Sequence, residues 1–153
     1  MGEKLQERLQ QKTFSSPYQE AMLNLLVCAD FLNRRMEELC TPYGITAAQY
    51  NVLRILRGVY PEGHPRCEII ERMIQVAPDV TRLIDRLARS GFVRRGKSSN
   101  DGRLSLTFIT QAGLDLLTSM QNDIQDLDTG LMNRMSDKDA RTLSRLCEKV
   151  YGG

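Results

Sequence analysis

The chain has 153 residues, 41% of them hydrophobic, and a formal net charge of +2, which is enough apolar content for one packed core and too much for wholesale disorder. No run approaches the ~20 apolar residues of a membrane-spanning helix, and the charged, Gln-rich opening MGEKLQERLQQK carries no secretory signal. Four scattered cysteines (Cys28, Cys40, Cys67, Cys147) with no C-x-x-C pair, and one histidine, His64, exclude a zinc site of the usual spacing, argue against a disulfide scaffold, and fit reduced thiols in the cytoplasm.

Residues 1–14 show no convincing period and read as a mobile lead-in or a short frayed helix. Ser16 as N-cap, Pro17 at the first helical position and Gln19 completing a capping box predict a firm helix start. Tyr18, Met22, Leu25, Ala29, Leu32, Met36 and Leu39 then recur at alternating spacings of four and three, until Pro42 and Gly44 end the run. A helix this long cannot bury its stripe in so small a domain without partners along its length.

Thr46 with Gln49 predicts a second capping box, opening a short helix that carries Tyr50, Leu53 and Leu56 on one face and stops at Gly58. Pro61, Gly63 and Pro65 break the chain, and a helix over Arg66–Met73 is expected to turn Ile69, Ile70 and Met73 inward. Pro78 opens the next helix, which runs to about Ser90 and stops at Gly91. Phe92–Lys97 and Leu104–Ile109 are strand-like around a polar turn of Ser98, Ser99, Asn100, Asp101 and Gly102, which predicts a β-hairpin. Thr110 caps a helix striped by Leu117, Met120, Ile124, Leu127 and Leu131 and reaching about Arg134. Ser136 caps a last one with Ala140, Leu143, Cys147 and Val150 on one face.

Charge is unevenly spread along this order. Residues 45–110 hold eleven Lys/Arg against six Asp/Glu, whereas the flanks hold ten against thirteen, which points to a basic face aimed at a polyanion. On the helix after Pro78, Val80, Leu83, Ile84 and Leu87 cluster on one side, and Arg82, Asp85, Arg86 and Arg89 on the other. Three exposed arginines suit a major groove, where guanidinium binds guanine O6 and N7 or grips phosphates. The bland alternative is an amphipathic helix in which Asp85 pairs with Arg82 and Arg89. Arg94, Arg95, Lys97 and Arg103 flank the hairpin tip, and a narrow Arg-tipped ribbon suits the minor groove. Here the alternative is a solvated hairpin whose edge charges discourage aggregation. Asp101, two residues before Arg103, is placed to orient that side chain by an ion pair.

Helix, short helix, turn, helix and hairpin between two helical arms is the plan of a winged helix-turn-helix. The run PDVTRLIDRLARSGFVRRGKSSNDGRLSLTFITQAG resembles the core of the MarR family of bacterial transcriptional regulators. The resemblance rests on Thr81-Arg82-Leu83, Asp85-Arg86-Leu87, Gly91-Phe92-Val93, Arg94 or Arg95, Asp101 with Arg103, and Thr110 with Gly113. GITAAQYNVLRIL is similar to the family's second helix, and the likeness extends over Pro17 to Tyr151. One departure is Gly102, where the family usually carries a second wing-tip Arg.

The resemblance implies a mostly α fold with a small β-hairpin wing and three parts of one intertwined domain. These are a dimerisation helix over 15–44, a winged helix-turn-helix over 45–110, and C-terminal dimerisation helices over 111–153. It implies a cytoplasmic homodimer that binds a palindromic operator in double-stranded DNA, usually as a repressor, and that a small phenolic or lipophilic ligand releases. On this basis Thr81, Arg82 and Arg86, with Asp79 near the helix start, are expected to read bases. Arg89, Arg94, Arg95 and Lys97 are expected to meet phosphates, Arg103 to enter the minor groove, and Asp101 to support the wing. No cofactor, metal or membrane is expected. The rival functions are a winged helix used to bind an acidic protein, and an architectural DNA binder indifferent to sequence. Peroxide-sensing members carry a reactive Cys near the start of the first helix, and that position falls near Met22. Cys28, Cys40 and Cys147 therefore read as apolar fillers. His64 and Cys67 lack a third group to orient them, so no enzyme is expected.

Overall fold

A computed structural model describes residues 2–77 and 79–153; Pro78, expected to open a helix, lies outside them. The described residues divide into two compact units, one ending at Ala47 and one spanning Ala48–Gly153.

In the first unit, Ser16 Oγ accepts the Gln19 N–H at 3.1 Å and starts α2 (Pro17–Cys40). The Gln19 side chain turns back to the N–H of Ser15, at 2.7 Å, one residue earlier than a capping box requires. A short helix, α1 (Glu3–Leu9), precedes it and buries Leu5. An ion pair from Arg8 to Asp30 at 3.8 Å ties α1 to α2. Most of the α2 stripe stays open: Tyr18 is 85% and Met22 53% exposed. A single 3-10 turn (Thr41–Tyr43) and Gly44, at φ 74°, end the unit's helical run. Cys40 is buried, and burial, with Glu37 adding, pushes its thiol up to about 11. Such a thiol is protonated and unreactive at neutral pH.

The second unit takes up α3 (Ala47–Arg57) from its second residue and continues through α4 (Arg66–Arg72), α5 (Val80–Arg89), β1 (Val93–Lys97), β2 (Ser105–Ile109), α6 (Gln111–Met132) and α7 (Asp137–Tyr151). Val52, Leu53 and Leu56 of α3, Ile69 of α4, Leu87 of α5 and Met120 of α6 are fully buried. Ile70, expected inward, is 46% exposed. Consecutive helical residues point about 100° apart, and Ile69 takes the inward position.

The strands pair antiparallel with Val93 opposite Ile109 and Lys97 opposite Ser105. The loop broken by Pro61, Gly63 and Pro65 adds a one-residue third strand: His64 N–H donates to Thr107 O at 3.0 Å, and Thr107 N–H to His64 O at 2.9 Å. The His64 Nε2 is buried without a hydrogen-bond partner among the described residues. Burial, with Arg72 nearby, holds this imidazole below its ordinary pKa, against an opposing pull from Glu68.

The turn from α5 into β1 explains why Gly and Thr stand where they do. Phe92 N–H donates to Leu87 O and Gly91 N–H to Ala88 O, both at 3.0 Å, with Gly91 at φ 80°. This doubly bonded helix ending needs a left-handed residue, and glycine adopts that conformation without steric cost. Thr110 then links the start of α6 to the same corner. Its hydroxyl donates to Gly91 O at 2.6 Å and accepts the Gly113 N–H at 3.2 Å, while its own N–H donates to Phe92 O at 3.0 Å. A Cβ on Gly113 would lie 2.4 Å from Phe92 O, so the T-x-x-G spacing places one capping hydroxyl and one bare Cα against a single turn.

At α7, Ser136 and Asp139 form a full capping box, and these hydrogen bonds hold the Asp139 carboxyl below its usual pKa. No described helix is long and apolar enough to cross a membrane.

Candidate nucleic-acid interface

The inner side of α5 is apolar, with Val80, Ile84 and Leu87 buried, and this fixes which residues face outward. Arg82, Arg86 and Arg89 are all exposed, and among the described residues no side chain pairs with any of their guanidinium groups. The intrahelical alternative, Asp85 with Arg82 and Arg89, is not formed. Asp85 instead pairs with Arg95 on β1, with both side chains about half exposed.

The remaining predicted site residues divide by partner. Asp79 caps α5, its Oδ1 accepting the Arg82 N–H at 2.9 Å. Thr81 Oγ1 accepts from Arg66 Nη1 at 2.8 Å, which leaves the Thr81 hydroxyl hydrogen to donate elsewhere. Arg94 stacks over the Phe108 ring, 4.1 Å from its centroid, a cation–π contact between directly opposed strand residues. Lys97 and Arg103 are exposed on either side of the tip.

The tip is held by its own polar side chains. Ser98 Oγ accepts the N–H groups of Asn100 and Asp101, both at 3.3 Å, and Leu104 N–H donates to Asp101 O at 3.0 Å. The Asp101 carboxylate accepts the backbone N–H of Arg103 at 3.0 Å. That differs from the expected ion pair with the Arg103 side chain: Asp101 shapes the turn and leaves the guanidinium unpaired.

Two contributors are not evident from the sequence. Arg66 is fifteen residues from Thr81, and no local spacing links them. Phe108 lies opposite Arg94 because the strand register is centred on Asp101, whereas equal counting from the middle of the polar run 98–102 would have put Leu106 there. Among the described residues no group of three or more His, Cys, Asp or Glu is placed to hold a metal ion.

The outward row of α5 and the basic hairpin stand beside one another in a single unit, linked by the Asp85–Arg95 pair. The family model described as MarR family matches residues 45–105. A MarR transcription factor from Planctomyces limnophilus is 35% identical, with 89% of this chain and 98% of that one covered and a TM-score of 0.67. The S. aureus MepR–DNA complex, at 16% identity, covers 92% of this chain and 98% of its own with a TM-score of 0.76. CouR from Rhodococcus jostii bound to p-coumaroyl-CoA, also at 16%, covers 90% and 95% with a TM-score of 0.77. At 16% identity these last two bear on the fold alone. No curated protein matches the chain. Being 35% identical over an alignment that spans 98% of the Planctomyces protein, the chain belongs to the MarR family of winged-helix transcription regulators, which are not enzymes.

Proposed function

We propose that the chain is a cytoplasmic homodimeric repressor that reads a palindromic operator with α5 and the hairpin. A small phenolic or lipophilic molecule would release it from DNA. The observation that carries this reading is the exposed, unpartnered row of Arg82, Arg86 and Arg89 beside a hairpin that offers Lys97 and Arg103. Arg82 and Arg86, with the hydroxyl of Thr81, read base edges. Arg89, Arg94 and Lys97 meet phosphates, and Arg103 enters the minor groove. Asp79 and Asp101 support the two elements as helix cap and turn brace. Residues 15–44 and 111–153 join the subunits, and 45–110 bind DNA. The shared fold of MepR in its DNA complex and of CouR with its acyl-CoA ligand supports both halves of the proposal. Footprinting on DNA upstream of the chain's own gene tests it. Two-fold symmetric protection is expected, and binding that falls steeply with salt. A salt-independent interaction would favour an acidic protein partner instead.

Arg103→Ala is expected to weaken binding to every duplex, with extra loss where A·T-rich flanks narrow the minor groove. The slope of log affinity against log salt should shrink by about one unit for the single phosphate-neutralising charge removed. Unchanged affinity and slope would place the hairpin away from DNA.

Arg95 stands differently from the sequence expectation, because Asp85 already holds its guanidinium. We assign it to bracing β1 against α5. A half-exposed pair of this kind contributes up to about 1 kcal/mol to stability, so its value lies in fixing the wing. Arg95→Asp should weaken operator binding, and the double reversal Asp85→Arg/Arg95→Asp should restore most of it. If the double variant binds no better than Arg95→Asp alone, Arg95 is a phosphate contact after all.

A further inference from the structure

We infer that the turn joining α4 to α5 selects A·T base pairs, with Ile74 and Val76 packing on thymine methyl groups and the Gln75 amide bonding the paired adenine. The inference rests on the proposal that α5 enters the major groove.

The protein leaves this apolar turn open. Val76 is 96% and Ile74 79% exposed, and Val76 is the most exposed large hydrophobic side chain among the described residues. Most other exposed large hydrophobic side chains lie on α2, α6 and α7, whereas among the described residues of 45–110 only Tyr60, Ile70 and Leu104 accompany these two. The turn is also close to the proposed groove. Val76 stands three residues before Asp79, the cap of α5, so the chain cannot carry it more than about 11 Å from the helix end that would enter the groove.

Between Arg72 and Arg82 the sequence has no Lys or Arg, and its one ionised side chain, Asp79, accepts the Arg82 N–H. This stretch therefore has no cation with which to grip phosphate, and Ile74, Gln75 and Val76 offer DNA only apolar and amide side chains. On major-groove base edges the apolar group is the thymine C5 methyl, and the partner adenine offers N7 and N6 to a Gln amide. The order Ile74-Gln75-Val76 places an exposed amide between two exposed β-branched side chains. Those side chains are stiff at χ1 and lose little freedom on contact.

The test uses duplexes that the full-length protein enriches from a randomised pool. In an enriched duplex, each thymine is replaced singly by deoxyuridine, which removes the methyl group and nothing else. At one or two positions the substitution should weaken wild-type binding about three- to fivefold, the worth of one buried methyl group. In Val76→Ser or Ile74→Ser the same substitution should cost nothing further. Gln75→Ala should lower the preference for A·T over G·C at the same pair. These side chains are open to solvent, so the variants keep the fold, which circular dichroism checks. The inference is overturned if no deoxyuridine weakens wild-type binding, as expected if the turn meets another protein. It is equally overturned if the penalty persists in both Ser variants. Failure of the wild-type chain to enrich any duplex would instead overturn the DNA-binding proposal itself.

Discussion

Removing residues 111–153 is expected to abolish specific operator binding even though every proposed DNA contact is retained. The reason is the apolar surface on the helical arms. On α7, Leu143 is 46%, Val150 68% and Tyr151 78% exposed, and no α7 residue is buried. On α2, Leu26 is 61% exposed beside the open Tyr18 and Met22. Stripes of this extent exceed what a monomer ordinarily leaves in water and fit burial against a second copy. Pairing would set two recognition helices near one turn of DNA apart, ~34 Å, and each half-site would then be held at high effective concentration.

The deletion also takes Leu117 and Met120 out of the core, so an insoluble or monomeric fragment is expected. Leu143→Glu/Val150→Glu spares the core, because both side chains are open, and should give a folded monomer. Its operator affinity should fall about 10²-fold or more as avidity disappears. Sedimentation and a mobility-shift titration measure both effects. A soluble monomeric fragment that binds a half-site as tightly as the intact chain binds its operator would sink the dimer.

Arg82→Ala and Arg86→Ala should relax discrimination at particular base pairs, by about 1–3 kcal/mol for each bidentate guanidinium–base pairing removed. Both side chains are exposed and unpartnered, so stability should change little. The check is a panel of operators, each with one base pair changed, titrated against wild type and variant. Wild type should lose affinity at the read positions, while the variant becomes indifferent there. A uniform loss across the panel, with a shallower salt dependence, would make these residues phosphate contacts.

Most of what carries the function is legible in the sequence because it is local. Ser16, Thr110 and Ser136 each cap a helix a few residues on, as their spacing indicates. The polar run 98–102 is the hairpin tip, and the apolar side of α5 leaves its arginines outward. The spacing of Thr110 and Gly113 is recognisable as a motif, but its reason lies in the approach of α6 to the carbonyl of Phe92.

The tertiary structure decided which charged groups remain available. Arg82, Arg86, Arg94, Arg95 and Arg103 look alike in a one-dimensional count of charge. Only folding brings Asp85 to Arg95, Arg66 to Thr81 and Phe108 beneath Arg94; the Asp101 bond to the Arg103 N–H is a local turn contact of the kind Asp makes two residues on. Helix periods and capping boxes are set by neighbours within about four residues, so they can be read directly from the sequence. An ion pair or ring contact depends on which elements meet, and that is settled by the packing of the core.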